Sequence, residues 1–368
     1  MRILAFFLNG CECGKFVGGA ERRFFKISQH LSNFGVQIAA LEYESLHSER
    51  CSELGYSPIR TKRRFPHNAI LNSLTVAVFG SILCLKSKCD IVYVTEIGPW
   101  KDTFWTALVA PYIVSCVCRK PLAIIFHHLD GEDVRWNLFK FMAIKKATCM
   151  AVSKATADDV RKNFQVKDVS IVGNGIDVQN FDVPSCKIKK YDAVFHGRIA
   201  EDKGIFELLQ AWRDVVAKMP SAQLLLIGGI DNTIRIEILR VIKKFNLEKR
   251  VHFSGFVSDK ELAMLLRSSK IHVLPSHREG FGLAVVEAMA SDLPCVVSDL
   301  PALREVFSSA AIFVQPRNVD SLTDAILLLL SSPEKRSHLQ EKGKSLVNRF
   351  SWKEVARKEF EVLKRVSG

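Results

Sequence analysis

Residues 274–289 read Leu-Pro-Ser-His-Arg-Glu-Gly-Phe-Gly-Leu-Ala-Val-Val-Glu-Ala-Met, a strand end followed by a glycine-bearing loop and a helical pattern. Gly280 and Gly282 allow the backbone to approach a ligand closely. The amides of Phe281, Gly282 and Leu283 stand at the start of the predicted helix, where unpaired N–H groups bind anions. The stretch therefore predicts one strand–loop–helix unit of an α/β fold, with a diphosphate site in its loop.

Two glutamates flank this predicted anion site. Glu279 precedes the amides in the loop, and Glu287 lies eight residues later inside the helix. Helical side chains lean toward the N-terminus of their helix, so we expect Glu287 to turn back toward the anion and to accept hydrogen bonds from a ribose diol. Glu279 is expected to address a sugar on the other side of the phosphates.

The same alternation of apolar runs and helical periodicity continues along all 368 residues, as is typical of parallel sheets covered by helices. Strands are predicted at 3–8, 36–41, 90–95, 122–127, 149–152 and 169–172, and then at 192–196, 223–227, 251–254, 271–274, 294–298 and 311–314. The polar segment 180–190 predicts a linker between the two series. We expect two Rossmann-like doubly wound domains, 1–180 and 181–350, facing each other across a ligand-binding cleft, and a last helix at 351–368 that crosses back to the first.

The charge of the chain is strongly basic, with 52 Lys and Arg against 39 Asp and Glu and a formal net charge of +13. The densest cluster, Arg60, Lys62, Arg63 and Arg64, precedes the apolar run 69–85. Basic and apolar neighbours of this kind suit an anionic membrane surface, although a basic solvated surface explains the charge equally simply. A nucleic-acid partner is not expected, because the sequence lacks zinc-ligand spacing and a basic-aromatic recognition segment.

The cysteines and the apolar segments bear on location. Ten cysteines occur without CxxC spacing, which indicates reduced thiols. Residues 1–8 are expected to form a first strand rather than a signal peptide. The uncharged window 103–118 contains Pro111 and is too short to span a bilayer, so it predicts a buried or interfacial helix. A cytoplasmic protein, peripheral on the inner face of the plasma membrane, is expected.

Further candidates lie at other predicted strand ends. Arg198 and Lys203 follow the strand at 192–196, where an arginine fork and a lysine point charge can hold a diphosphate. Gly18 and Gly19 follow the first strand and form a second glycine turn before a helix.

One of two adjacent histidines completes the set of candidates. His127 closes the strand at 122–127, and His128 is the alternative because adjacent strand residues point to opposite faces. A histidine at a strand end is more often structural than functional. The residues alone therefore leave both the role and the choice between the two histidines open.

The pattern Glu279-Gly-Phe-Gly-Leu-x3-Glu287 resembles the paired-glutamate motif of the family 4 retaining glycosyltransferases. Four further segments are similar to motifs of that family: 18–22, 174–177, 195–204 and 350–352. The resemblance implies the GT-B fold, a nucleotide-sugar donor held mainly by the C-terminal domain, an acceptor held by the N-terminal domain, no cofactor and no metal. The donor nucleotide, uridine or guanosine diphosphate, is left open.

The resemblance also implies roles for single residues. Arg198 and Lys203 would bind the donor diphosphate, and His127 would lie near the reacting sugar. Gly229 and Val257 occupy places where the family contacts the nucleotide base. The family often has an aromatic residue near Leu266, where this chain departs from the pattern. The acceptor, a saccharide or a lipid-linked molecule of the cell envelope, is therefore less defined than the reaction.

Other enzyme classes remain as alternatives. Same-face transfer, in which the leaving phosphate takes the acceptor proton, is favoured over double displacement, for which Glu279 is the only nucleophile that we can name. A nucleotide-sugar epimerase of the same architecture would consume its donor without an acceptor. A metal-dependent GT-A transferase would use Asp130 and Glu132 as a degenerate metal motif.

Overall fold

The computed structural model describes residues 1–7, 19–43, 55–61, 69–95, 108–128, 138–184 and 189–367. The chain divides into two compact units, one formed by Met1–Gly175 with Trp352–Gly368 and the other by Ile176–Ser351. Each unit is built on a parallel sheet with helices between its strands. This architecture confirms the predicted pair of Rossmann-like α/β domains.

The first unit contains a sheet with strand order β3-β2-β1-β4-β5-β6-β7. Its strands are β1 (Arg2–Phe6), β2 (Gln37–Tyr43), β3 (Ser57–Thr61), β4 (Ile91–Val94), β5 (Leu122–Phe126), β6 (Thr148–Ala151) and β7 (Val169–Ile171). Sequence reasoning missed β3, which contains Pro58. Proline is tolerated here because β3 is an edge strand that pairs only with β2 among the described residues.

The second unit contains a sheet with strand order β10-β9-β8-β11-β12-β13. Its strands are β8 (Tyr191–His196), β9 (Leu224–Ile227), β10 (Val251–Gly255), β11 (Ser269–Leu274), β12 (Cys295–Ser298) and β13 (Ala311–Val314). From β8 the chain first adds strands on one side and then returns to add β11 on the other. In open parallel sheets this switch point, at the carboxyl ends of the strands, is where ligands bind.

The helices follow the strands in both units. The first unit contains α1 (Gly19–Asn33), α2 (Ala69–Ser87), α3 (Ala110–Cys118), α4 (Leu138–Lys146), α5 (Lys154–Phe164) and α13 (Trp352–Ser367). The second contains α6 (Ile205–Lys218), α7 (Arg235–Lys244), α8 (Asp259–Arg267), α9 (Leu283–Ala290), α10 (Pro301–Phe307), α11 (Val319–Ser331) and α12 (Pro333–Val347). The last helix, α13, packs on α1 and β4 of the first unit.

The boundary between the units differs from the predicted one. The chain passes to the second unit at Ile176, whose N–H donates to the carbonyl of Phe350 at 3.2 Å. A 3-10 turn follows at Val178–Phe181, and Phe181 is only 3% exposed because it packs against the second unit. Burial of this apolar side chain therefore places part of the polar segment 180–190 inside a domain rather than in a linker.

Helix α2 has an unusual distribution of side chains. Its buried positions carry mostly small or polar residues, Asn72, Ser73, Val76, Ala77 and Cys84, while its exposed positions include Leu74, Val78, Ile82 and Leu85, which are 46–65% exposed. Among the described helices, α2 alone is long enough and apolar enough to cross a membrane. Its mean hydropathy over Ile70–Ser87 is 1.6, and 33% of this window is buried. Its buried face packs on α3 and β1.

Candidate active site

Two of the predicted site segments meet at the switch point of the second sheet. Gly204, at φ +70°, lies so close to the loop after β11 that a Cβ there would stand 2.0 Å from the carbonyl oxygen of Pro275. The N–H of His277 also donates to the carbonyl of Asp202 at 2.9 Å. The loop after β8 and the loop after β11 are therefore held together by their backbones.

This contact brings Lys203 and Glu279 together. Lys203 Nζ lies 2.8 Å from Glu279 Oε1, and the two side chains are 22% and 15% exposed. Ser276 Oγ donates to the same carboxylate oxygen at 3.1 Å. Sequence reasoning selected Lys203 and Glu279 but missed Ser276, which orients the carboxylate from within the same loop.

Arg198 has a different environment from Lys203. Its Nη2 donates to both carboxylate oxygens of Asp202 at 2.9 and 2.8 Å, and Nη1 lies 3.9 Å from Asp231 Oδ2. The Arg198 side chain is 48% exposed. The two carboxylates, neither of them predicted, fix the guanidinium and offset part of its charge.

The N-terminus of α9 is the predicted anion site. Gly282 is its N-cap at φ +87°, without a side-chain cap, and the first turn contains no acidic residue. Among the described residues, the amides of Phe281, Gly282 and Leu283 have no backbone or side-chain acceptor. A Cβ on Gly282 would lie 2.7 Å from Leu303, so packing as well as φ requires glycine here. The positive end of α9 is thus available to an anion.

Glu287 is buried and hydrogen-bonded to a neighbouring strand, which the sequence did not indicate. The residue is 8% exposed, and its Oε2 lies 2.9 Å from Nε2 of His196, the last residue of β8. Nδ1 of His196 in turn lies 3.1 Å from Nε2 of His272 in β11. In the sequence, each histidine could have been noticed as a polar residue in an otherwise apolar strand. The sequence alone does not show that the two rings are in contact.

Gly229 and Val257 lie in the loops after β9 and β10. Strand β9 pairs with β8 on the side opposite β11, and β10 pairs with β9. A Cβ on Gly229 would lie 2.4 Å from Cζ of Phe256, whose side chain is nevertheless 67% exposed. A ring held against a backbone and open to solvent on its other face can stack on a flat ligand. Phe256 was not among the predicted contacts.

In the first unit, His127 follows β5 instead of closing it, because β5 ends at Phe126. Its Nε2 donates to the carbonyl of Thr95 at 3.0 Å. Desolvation, and then the nearby charge of Arg23, lowers the pKa of His127 from 6.5 to about 3. The ring is therefore neutral at physiological pH and offers Nδ1 as an acceptor, which suits a sugar hydroxyl. His128 is exposed.

A buried ionic cluster lies in the same unit. Arg23 Nη2 and Tyr93 Oη each lie 2.6 Å from the carboxylate of Glu359, on Oε2 and Oε1 respectively. All three side chains are at most 2% exposed. Glu359 belongs to α13, so this helix provides the counter-charge for Arg23 of α1 and a hydrogen-bond acceptor for Tyr93 of β4.

Two predicted features cannot be placed. Gly18, Asp130 and Glu132 lie outside the described residues, whereas Gly19 is the first residue of α1. Within the described ranges, no group of three or more His, Cys, Asp or Glu side chains is arranged to hold a metal ion.

Two models of known protein families together match nearly the whole chain. Residues 17–180 match the model of glycosyltransferase family 4, and residues 179–346 match that of glycosyl transferases group 1. The MMP alpha-(1->4)-mannosyltransferase of Mycolicibacterium hassiacum is 32% identical over 265 residues, which cover 64% of this chain and 63% of that protein. The chain thus spans somewhat less than two thirds of that relative.

Two further proteins match over most of their length. The GDP-mannose:cellobiosyl-diphosphopolyprenol alpha-mannosyltransferase of Xanthomonas campestris is 21% identical, covering 92% of this chain and 91% of that protein. The structure of HepE from Anabaena in complex with UDP-glucose superposes with a TM-score of 0.79 at 18% identity, covering 99% of this chain and 100% of that one. At such identity the structural likeness shows the fold.

Proposed function

The chain belongs to the family 4, group 1 glycosyltransferases. From this premise we propose that it transfers a hexose-type sugar from a UDP- or GDP-linked donor to a saccharide or lipid-linked acceptor of the cell envelope. The proposed transfer needs no metal and retains the anomeric configuration of the sugar. The observation that carries the proposal is the Lys203–Glu279 pair beside the unpaired amides of α9, at the switch point of the second sheet.

The residues of the second unit supply what donor binding requires. The amides at the α9 N-terminus and the cations of Lys203 and Arg198 would hold the diphosphate and stabilise the charge that grows on it as the sugar leaves. Glu279 would orient the sugar, and Glu287 the ribose. Phe256, with Gly229 and Val257 near it, offers a surface for the base.

The hydrogen bonds of Glu279 favour same-face transfer over double displacement. Its Oε1 accepts hydrogen bonds from both Lys203 and Ser276, which fix the carboxylate in one orientation and lower the nucleophilicity of that oxygen. Such a group is suited to hold sugar hydroxyls. In the proposed reaction the leaving phosphate accepts the acceptor proton.

A donor screen tests the function. UDP- or GDP-linked hexoses are expected to raise the melting temperature, because they bind only the folded chain, and transfer is expected to continue in excess EDTA. The product should have the same anomeric configuration as the donor, read by proton NMR. Consumption of donor without any acceptor would instead indicate an epimerase, and loss of activity with EDTA would indicate the metal-dependent class.

The exposed apolar face of α2 supports binding to a membrane surface, where a lipid-linked acceptor would be found. Its exposed aliphatic side chains form a stripe with spacing 3 and 4 along one helix face, and its buried face is the less apolar one. A large exposed apolar face marks an interaction site. The basic cluster at 60–64, whose side chains lie outside the described residues, precedes α2 in sequence and suits anionic lipid headgroups.

Vesicle binding tests this surface. Replacing Leu74, Val78 and Ile82 together by glutamine is expected to lower the partition coefficient onto phosphatidylglycerol vesicles, measured by co-sedimentation, by about a hundredfold or more, since each buried aliphatic side chain contributes on the order of 1 kcal/mol or more. Ile236→Gln with Leu239→Gln is the matched control, because both residues are exposed on α7 of the second unit. Absence of binding by the unaltered protein to anionic vesicles would exclude the membrane proposal.

A further inference from the structure

Three buried side chains form a row beneath the proposed donor site: Glu287 on α9, His196 at the end of β8 and His272 in β11. Two hydrogen bonds join them, at 2.9 Å between Glu287 and His196 and at 3.1 Å between the two imidazoles. His196 and His272 are 4% and 0% exposed. Both bonds are therefore shielded from water, and their polarity is felt strongly.

The protons of this row follow from its acceptors. An ionised carboxylate only accepts, so Nε2 of His196 donates to Glu287. If His196 is neutral, its Nδ1 accepts from Nε2–H of His272, and Nδ1 of His272 remains an unprotonated buried atom. Among the described residues, that atom indeed has no hydrogen-bond partner.

The opposite assignment is less favourable. A doubly protonated His196 would donate to both neighbours and leave His272 with a buried, unpaired Nδ1–H. An orphaned buried donor costs more than an unused acceptor lone pair, so the neutral assignment is preferred. Burial, and then the neighbouring His196, lowers the pKa of His272 well below 6.5, in agreement with a neutral ring. The negative charge of the row then resides on Glu287.

We propose that His196 is a positioning residue for the donor nucleotide, because its hydrogen bond holds the Glu287 carboxylate in one orientation for the two ribose hydroxyls. The inference rests on the proposed function, which assigns Glu287 to the ribose. A carboxylate that is correctly turned can accept a hydrogen bond from each hydroxyl of a vicinal diol. His272 acts one step further back, since its Nε2–H fixes the tautomer in which His196 donates to Glu287.

Calorimetric titration of UDP and GDP, each beside its 2′,3′-dideoxy analogue, tests this role. His196→Leu is expected to weaken binding of the ribose nucleotide by about tenfold or more, the effect of losing a hydrogen bond to a charged group. Binding of the dideoxy analogue should change by less than about twofold, because it lacks the hydroxyls that Glu287 would hold. His196→Gln, whose side-chain amide can replace the Nε2–H donor, is expected to restore discrimination between the two ligands.

The outcomes separate the inference from its premise. Equal affinity of the unaltered protein for nucleotide and dideoxy analogue, or no binding of either nucleotide, would overturn the donor-site assignment and the inference with it. Discrimination that survives His196→Leu, or a loss that is equal for both ligands, would overturn the role of His196 alone. In a Glu287→Ala background, His196→Leu is expected to add no further loss of ribose discrimination. If His196→Leu does not fold, His196→Ala and His196→Gln provide the same comparison.

Discussion

Lys203→Ala is expected to lower kcat for sugar transfer by about 10²–10³-fold, the scale of removing one electrostatic donor from a transition state. Transfer without a metal leaves the growing charge of the diphosphate to be stabilised by fixed cations and amides. Lys203 is the partly buried cation of the site, at 22% exposure, so its field is less screened by water than that of Arg198 at 48%.

The measurement compares kcat and KM with donor and acceptor at saturation. Lys218→Ala is the matched control, because Lys218 is an exposed lysine in the last turn of α6, the helix that follows Lys203. Because Lys203 also holds Glu279, the melting temperature of each variant is measured beside its activity. A folded Lys203→Ala protein with more than about a tenth of the normal kcat would contradict the assignment.

The architecture was predictable because it depends on local patterns. Apolar runs with turn residues between them predicted every strand of the described residues except β3, and the ends of the predicted strands differ from the observed ones by a few residues. The two loops of the donor site were also predictable, since residues at the carboxyl ends of neighbouring parallel strands meet at one edge. Lys203 and Glu279 lie 2.8 Å apart for this reason.

The partners of those residues were not predictable from the same patterns. His196 and His272 are 76 positions apart in sequence, and their contact depends on the adjacency of β8 and β11 and on the choice of rotamers. Asp202 could have been selected as the residue four positions after Arg198. The pairing of Asp231 with Arg198 requires the loop after β9 to approach, which no periodicity encodes.

Glu359 is an intermediate case. Val355, Glu359 and Leu363 recur at helical spacing, so a carboxylate lies in the middle of an apolar stripe that is buried along its length. A charge in such a position indicates a buried partner. The sequence did not identify that partner, because Arg23 lies 336 positions earlier and Tyr93 belongs to a strand that only the fold brings near.

Glu359→Ala is therefore expected to lower the free energy of unfolding of the first unit by about 3–5 kcal/mol, because it leaves Arg23 buried without its counter-charge. Tyr93 would lose its acceptor as well. Burial and then the charge of Glu359 raise the pKa of Tyr93 well above 10, so the phenol is protonated and donates to this carboxylate. Urea denaturation gives the free energy, and hydrogen exchange assigns the affected transition to the first unit.

Two comparisons show whether the loss comes from an unpaired charge. Glu361→Ala, at an exposed position of the same helix, is expected to change the free energy of unfolding by less than about 0.5 kcal/mol. Replacing Arg23 by Met, Tyr93 by Phe and Glu359 by Leu together should recover most of the stability, because a buried ion pair exchanged for apolar side chains leaves no charge to desolvate. If the triple variant is as unstable as Glu359→Ala, packing around α13 rather than the unpaired Arg23 charge determines the loss.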